Sequence, residues 1–140
     1  EFVTASFYAG IAFLKAGCAT VHGMSFPLGG TYHVPHGEAN YQFFTAVFKV
    51  YNEKDPNGRI RELNALLQQM LGTESDPYAA MEQLLDKILP RPALSSYGMT
   101  EGDTSAFADN VIATQQRLLA NNYVPLSRDE IYQIYAKLYK

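Results

Sequence analysis

The sequence predicts an all-α domain built from several helices. Apolar residues recur with helical spacing along most of the chain, and residues typical of helix ends separate the apolar runs. No alternation of strands and helices occurs, and neither a G-x-G-x-x-G motif nor a P-loop is present, so the sequence contains no nucleotide-binding fingerprint. The length of 140 residues, 47% of them hydrophobic, suits one compact domain with its own core.

The first 35 residues contain one regular helix and one irregular segment. Residues 2–16 are rich in small side chains, which allow neighbouring helices to approach closely, so we expect this helix to be central and to stop at Gly17. Glycine and proline are frequent between Cys18 and Pro35. We expect a short helix over residues 20–28, a break at Gly29-Gly30, and extended backbone over residues 31–34, because Pro35 disfavours helical geometry before it.

Three amphipathic helices follow this segment. The first runs from about His36 to Tyr51, and we interpret its aromatic stripe as core in preference to a ligand pocket. Asp55-Pro56 and Asp76-Pro77 each combine a capping residue with a proline suited to the first helical turn, so each pair marks a helix start. Gly72 closes the second helix, and Pro90-Arg91-Pro92 ends the third.

The last 40 residues predict three further helical elements. Met99-Thr100 precedes a helix that starts at Glu101, and a shorter element covers residues 115–121. Ser127 and Glu130 have the spacing of a capping box, in which each side chain satisfies a free amide of the other residue. The neighbouring carboxylates Asp129 and Glu130 are therefore interpreted as capping groups and not as an acid–base pair.

Composition excludes several functional classes. The formal charge of -3 argues against nucleic-acid binding, which requires a basic surface. No run approaches the ~20 consecutive apolar residues of a membrane span. A single cysteine and the lack of a signal-peptide pattern favour a reducing, cytoplasmic location. The chain starts at Glu1 and opens directly into an apolar run, so we expect it to be processed or a fragment.

The three histidines, His22, His33 and His36, lie within fifteen residues of one another. Neutral imidazole is the commonest metal ligand in proteins. A chain reversal at Gly29-Gly30 would bring His22 and His36 together. Spacing alone leaves open that they are core or surface histidines, because two or three histidines do not make a closed metal site.

Two other residues, Glu38 and Cys18, can each be interpreted in two ways. Glu38 is either a carboxylate near such a site or an acidic residue that stabilises the positive end of a helix. Cys18 is either a reactive thiol or a small buried hydrophobe, and the absence of neighbouring basic residues favours the second.

A longer motif includes these histidines. Residues 17–40, GCATVHGMSFPLGGTYHVPHGEAN, strongly resemble the signature of the iron-containing (group III) alcohol dehydrogenases, and the similarity begins in Ala9-Gly10-Ile11-Ala12-Phe13. The helical run to Tyr139 looks like the rest of that family's C-terminal domain. Residues 32–41 together with Gln116-Arg117-Leu118-Leu119 look most like the NAD-dependent 4-hydroxybutyrate dehydrogenase branch.

The resemblance implies a divided enzyme. Members of the family bind NAD(P) through an N-terminal nucleotide-binding domain and hold a divalent metal, Fe²⁺ or Zn²⁺, in an all-helical C-terminal domain through one Asp and three His. On the motif, His22 and His36 are the last two metal ligands. The other two come from an upstream D-x-x-x-H helix that this chain lacks, as it lacks the nucleotide-binding domain. Residues 1–140 are therefore expected to be the helical metal-binding domain.

One position departs from the family pattern. Many members have a further histidine four residues after the first signature ligand, where it takes part in proton relay, and this chain has Phe26 there. The catalytic proton-relay residue is therefore unassigned. We interpret Phe26 as an apolar wall of the nicotinamide pocket, and His33 as a surface histidine in preference to a substitute relay.

These inferences predict oxidation of a small primary alcohol, with 4-hydroxybutyrate converted to succinate semialdehyde by the whole enzyme. The chain alone is expected to be inactive, to bind metal weakly, and to self-associate through an exposed apolar face. Two alternatives remain: a non-catalytic helical interaction module, and a half-site that a separate chain completes.

Overall fold

The computed structural model describes residues 1–140 and confirms the all-α prediction, since it contains no strand. The eight helices are α1 (Phe2–Ala16), α2 (Thr20–Tyr32), α3 (His36–Lys54), α4 (Arg59–Leu71), α5 (Pro77–Ile88), α6 (Glu101–Thr114), α7 (Gln116–Leu119) and α8 (Arg128–Tyr139). A short 3₁₀ helix, Leu94–Tyr97, lies between α5 and α6.

The core lies where α2, α3, α6 and α8 pack together. Its fully buried members include Met24 and Leu28 of α2, Phe43 and Val47 of α3, Val111 of α6, and Ile131 and Tyr135 of α8. The Tyr135 ring packs edge-on against Phe43, with centroids 5.2 Å apart, and its hydroxyl donates to the carbonyl oxygen of Met24 over 2.6 Å. The aromatic stripe of α3 is only partly core, since Val47 and Tyr51 are buried while Tyr41, Phe44 and Phe48 are half-buried.

Most helix ends follow the local signals in the sequence. The Asp76 carboxylate caps α5 by accepting from the Tyr78 amide over 2.9 Å, and Gly72 ends α4 in the left-handed conformation, with φ of 65°. Capping boxes start α6, through Thr100 and Asp103, and α8, through Ser127 and Glu130.

The predicted start of α4 at Asp55-Pro56 is wrong by three residues. The helix begins at Arg59, with Gly58 at the capping position. The Asp55 carboxylate accepts a hydrogen bond from the Tyr123 hydroxyl over 2.8 Å, so it is engaged by a residue distant in sequence and does not cap the helix.

The predicted break at Gly29-Gly30 is also wrong. Helix α2 continues through Pro27 and both glycines to Tyr32, and the chain reverses after it, with His33 in the left-handed conformation at φ of 56°. A Cβ on Gly29 would lie 3.3 Å from the carbonyl oxygen of Val34. This glycine thus permits a close approach between α2 and the following turn, and packing outweighs the ~1 kcal/mol helix penalty of a glycine.

The expectation that α1 is central is contradicted. No residue of α1 is buried, and Phe2 and Leu14 are 94% and 81% exposed. The helix carries one charged side chain, Lys15, so its composition is that of a buried helix. Small residues do predict close packing, but nothing within these 140 residues buries a side chain of α1.

Helices α4 and α5 also leave large apolar side chains exposed. Met70 of α4 and Ile88 of α5 are 72% and 73% exposed.

No single helix is long and apolar enough to cross a membrane. Helices α1 and α2 meet that criterion only as a pair, and the pair is bent by 104°.

Candidate metal centre

His22 and His36 lie side by side in the structure. His22 is in the first turn of α2 and His36 is the first residue of α3, and their ring centroids are 5.3 Å apart with the ring planes inclined at 51°. Two imidazoles that bind one tetrahedral cation through nitrogens at about 2.1 Å place their ring centroids about 5 Å apart. The pair therefore has the separation that a shared cation requires.

The packing of α2 against α3 brings the two rings together. The start of α2 is fixed by Asn122, whose Oδ1 accepts from the backbone amide and the hydroxyl of Thr20 over 3.0 and 2.7 Å. The start of α3 is fixed by the reversal at His33 and by Pro35 at the capping position. The predicted convergence of the histidines is correct, but the reversal follows the diglycine and does not occur at it.

Aromatic side chains surround the histidine pair. Phe26 stacks on His36, with centroids 6.2 Å apart and planes inclined at 27°, and remains 42% exposed. Phe13 of α1 lies 6.5 Å from the ring of His22. A cavity of about 270 Å³ adjoins His36 and is lined by Ser25, Phe26, Gly29, Gly30, Val34, His36 and Ala39. The position of Phe26 is compatible with an apolar wall, and its contact with nicotinamide stays a prediction.

Burial and charge both act on His22. Desolvation lowers the pKa of His22, and the neighbouring His36 lowers that pKa further because two adjacent positive charges repel. The neutral imidazole is also the form that binds a cation.

The other candidate residues do not join this pair. His33 is exposed and forms the end of α2. The Glu38 carboxylate accepts from the Tyr97 hydroxyl over 2.7 Å, and Tyr97 accepts from Gln42 over 2.8 Å. Burial, followed by the bond to Glu38, raises the pKa of Tyr97 to about 12. Cys18 is half-buried, so its exposure lies between that of a buried hydrophobe and that of an accessible reactive thiol.

The chain supplies two candidate ligands and no complete shell, since no group of three or more His, Cys, Asp or Glu is placed to hold a metal ion. Sequence reasoning missed one neighbour of the pair, Asn40, whose Nδ2 lies 3.0 Å from Nε2 of His36. The four-residue spacing of His36 and Asn40 on one helix was the signal available, because such residues face each other.

Comparison with known proteins identifies related sequences over the whole chain. A 4-hydroxybutyrate dehydrogenase of Clostridium kluyveri is 56% identical over 99% of this chain and 38% of its own length. A long-chain-alcohol dehydrogenase of Geobacillus thermodenitrificans is 30% identical over 96% of the chain and 35% of its own length. An alcohol dehydrogenase of Schizosaccharomyces pombe is 31% identical over 94% of the chain and 31% of its own length. No solved structure matches the chain significantly.

The chain thus spans about a third of the length of these relatives. Residues 1–139 match the sequence model described as the Fe-containing alcohol dehydrogenase family, C-terminal. That match includes both histidines, the phenylalanine between them and every helix of the fold. The chain therefore belongs to the Fe-containing alcohol dehydrogenase family and corresponds to its C-terminal domain.

Proposed function

We propose that these residues are the metal-binding part of a longer NAD(P)-dependent alcohol dehydrogenase. The proposed reaction is oxidation of a small primary alcohol, 4-hydroxybutyrate, to succinate semialdehyde. The observation that supports a metal role is the 5.3 Å separation of the His22 and His36 rings. The 56% identity to a 4-hydroxybutyrate dehydrogenase supports the choice of substrate.

His22 and His36 would hold an Fe²⁺ or Zn²⁺ ion, since imidazole suits both. When bound, the metal supplies a Lewis acid that polarises the alcohol oxygen. Phe26 stacks on His36 and would present an apolar surface to the nicotinamide, which the rest of the enzyme binds. Family membership supports the metal and NAD(P), while the choice between Fe²⁺ and Zn²⁺ and the division of roles between domains are part of the proposal.

The position of α1 supports completion of the site by another segment. Phe13 lies beside His22, and α1 is exposed along its whole length. A polypeptide that covers α1 would therefore also lie next to the histidine pair, where it could supply the remaining ligands. That polypeptide is either the rest of the same enzyme or, as a second candidate, a separate chain. Without it we expect no turnover, weak metal binding and self-association through α1.

A chimeric enzyme tests the proposal. The 140 residues would replace the matching region of the Clostridium kluyveri 4-hydroxybutyrate dehydrogenase, which the identity of 56% makes feasible. We expect the chimera to form NADH from 4-hydroxybutyrate and NAD after loading with Fe²⁺ or Zn²⁺. His22→Ala and His36→Ala should each lower kcat/KM by at least about a hundredfold, because loss of a ligand exceeds the 10–100-fold effect of losing a residue that supports one.

His33→Asn is the matched control, since His33 is an exposed histidine of the same segment and asparagine also tolerates its left-handed conformation. It should retain kcat/KM within about twofold, as surface substitutions away from a site usually do. A folded, metal-loaded chimera without activity would contradict the proposed enzyme function. Such inactivity would favour the helical interaction module, whereas full activity in His22→Ala and His36→Ala would contradict the proposed role of these histidines as metal ligands.

A further inference from the structure

Helices α4 and α5 expose apolar side chains on the side where surface helices normally expose polar ones. Leu66 and Met70 of α4 are 51% and 72% exposed, and Leu84 and Ile88 of α5 are 45% and 73% exposed. A helix at a protein surface usually turns its apolar stripe towards the core and its polar residues towards water. These four side chains form what we name the hairpin face.

Hydrogen bonds to α3 show which side of each helix faces inward. The Asn64 amide of α4 donates to Oδ1 of Asn52 over 2.6 Å. The Glu82 carboxylate of α5 accepts from the Thr45 hydroxyl over 2.8 Å. Both partners belong to α3, so α4 and α5 lie against the same helix and also pack against each other.

The hairpin face lies on the opposite side of both helices. Its two members in α4 follow Asn64 by two and six residues, and its two members in α5 follow Glu82 by the same intervals. At about 100° per residue, these intervals place a side chain about 160° and about 120° around the helix from the inward side. The four side chains therefore share the outer surface of the α4–α5 pair.

This surface is remote from the histidine pair. The α3 residues that hold the hairpin, Thr45 and Asn52, follow His36 by nine and sixteen residues. A rise of 1.5 Å per residue puts them about 14 and 24 Å along the helix from His36. A polypeptide that covers α1 and completes the metal site therefore need not reach the hairpin face.

We propose that the hairpin face binds the hairpin face of a second copy of this protein. Most homo-oligomers use such contacts between identical surfaces, related by a two-fold axis. An apolar surface suits this arrangement because it is complementary to itself. The inference goes beyond the proposed reaction and does not depend on the metal.

The size of the hairpin face fits a weak dimer. A fully exposed side chain of this kind offers roughly 120 Å² of apolar surface, so the four exposed fractions give on the order of 300 Å² per copy. Two copies would bury about 600 Å² of apolar surface, or about 1,000 Å² in total if about 60% of the interface is apolar. This is the lower limit for a specific interface, so we expect a dissociation constant of roughly 1–100 µM.

Opposite charges placed in the hairpin face test the proposal. The chimeric enzyme is used because α1 is covered in it, and sedimentation equilibrium measures its assembly mass above the expected dissociation constant. One variant combines Met70→Glu with Ile88→Glu, and another combines Met70→Lys with Ile88→Lys. Each variant alone should have at most half the assembly mass of the parent chimera, because like charges then face each other. An equimolar mixture of the two should recover the parent mass, because opposite charges meet.

Gln83→Glu is the matched control, since it adds a negative charge at an exposed polar position of α5 outside the hairpin face. It should keep the assembly mass of the parent. The double variants should keep the parent melting temperature, since Met70 and Ile88 are the most exposed members of the face. Their kcat/KM for 4-hydroxybutyrate should stay within about twofold, as for surface substitutions away from a site.

The outcomes separate the possible occupants of the hairpin face. Unchanged mass in both double variants, or a mixture that does not recover the parent mass, would overturn the proposal. Lower melting temperatures at unchanged mass would also overturn it and would show that another part of the same polypeptide covers the face. The assembly mass is measured without turnover, so either result leaves the proposed dehydrogenase function to be decided by NADH formation.

Discussion

Asn122 connects the start of α2, which carries His22, to the rest of the fold. Its Oδ1 accepts three hydrogen bonds, from the Thr20 amide over 3.0 Å, the Thr20 hydroxyl over 2.7 Å and the Tyr51 hydroxyl over 2.9 Å. Thr20 is fully buried and Tyr51 is 4% exposed. Asn122→Ala would leave the three donors of these two buried residues without their acceptor.

The expected loss of stability follows from these three bonds. A capping interaction contributes typically about 1 kcal/mol, and a buried donor left without a partner costs ~1–3 kcal/mol. Because hydroxyls can rotate towards other acceptors, we take about 1 kcal/mol for each hydroxyl. The free energy of unfolding should therefore fall by about 3 kcal/mol in Asn122→Ala. Asn122→Asp should lose less, since it keeps the acceptor oxygen and removes Nδ2, which is buried without a partner.

Urea unfolding followed by far-UV circular dichroism measures this difference. The neighbouring variant Asn121→Ala is the control, because Asn121 makes one hydrogen bond, from its exposed amide to the Cys18 carbonyl over 2.9 Å. The control should lose about 1 kcal/mol or less. A loss below about 1 kcal/mol in Asn122→Ala, or equal losses in the two alanine variants, would refute the reasoning.

Three further predictions concern the turns that shape the fold. His33→Gly should raise the free energy of unfolding by roughly 0.5–1 kcal/mol, because φ of 56° strains a side chain but not glycine; lower stability in urea would contradict this. Gly58→Ala should lower it by ~1–3 kcal/mol, since the new Cβ would lie 1.9 Å from the Tyr123 hydroxyl oxygen, and an unchanged melting temperature would show that the turn adjusts freely. Hydrogen bonds from Thr100, and then Tyr32, lower the pKa of Asp103. The ionised Asp103 carboxylate therefore stabilises the folded chain above the ordinary carboxyl pKa, and this stabilisation is lost as the pH falls through the lowered pKa. Asp103→Asn should make thermal stability less dependent on acid pH, and an identical acid profile would argue against this contribution.

Helix ends that depend on neighbouring residues were predictable from the sequence. The capping of α5 by Asp76, the end of α4 at Gly72 and the capping box of Ser127 and Glu130 all involve groups within a few residues of one another. The incorrect predictions involve distant contacts. Tyr123 engages Asp55, and packing against the turn at Val34 keeps α2 helical through the diglycine. The exposure of α1 depends on what covers that helix, which the pattern of its own side chains does not reveal.

The candidate site was also predictable only in part from the sequence. The family motif predicted that His22 and His36 converge, and the structure places their rings together. Phe26 was assigned to the cofactor pocket, and it stacks on His36. Asn40 was missed as a neighbour of the pair, although it ends the quoted motif and lies four residues after His36, because only the position of the His36 ring shows which atom it contacts.

The central claim is that His22 and His36 bind one cation together. A Zn²⁺ titration of the chain, followed through the ring ¹H NMR signals of its three histidines, tests this directly. The account predicts that the signals of His22 and His36 shift with one shared dissociation constant, that His33 does not shift, and that His22→Ala weakens the binding seen at His36. Separate dissociation constants for His22 and His36, or an equal response from His33, would contradict it.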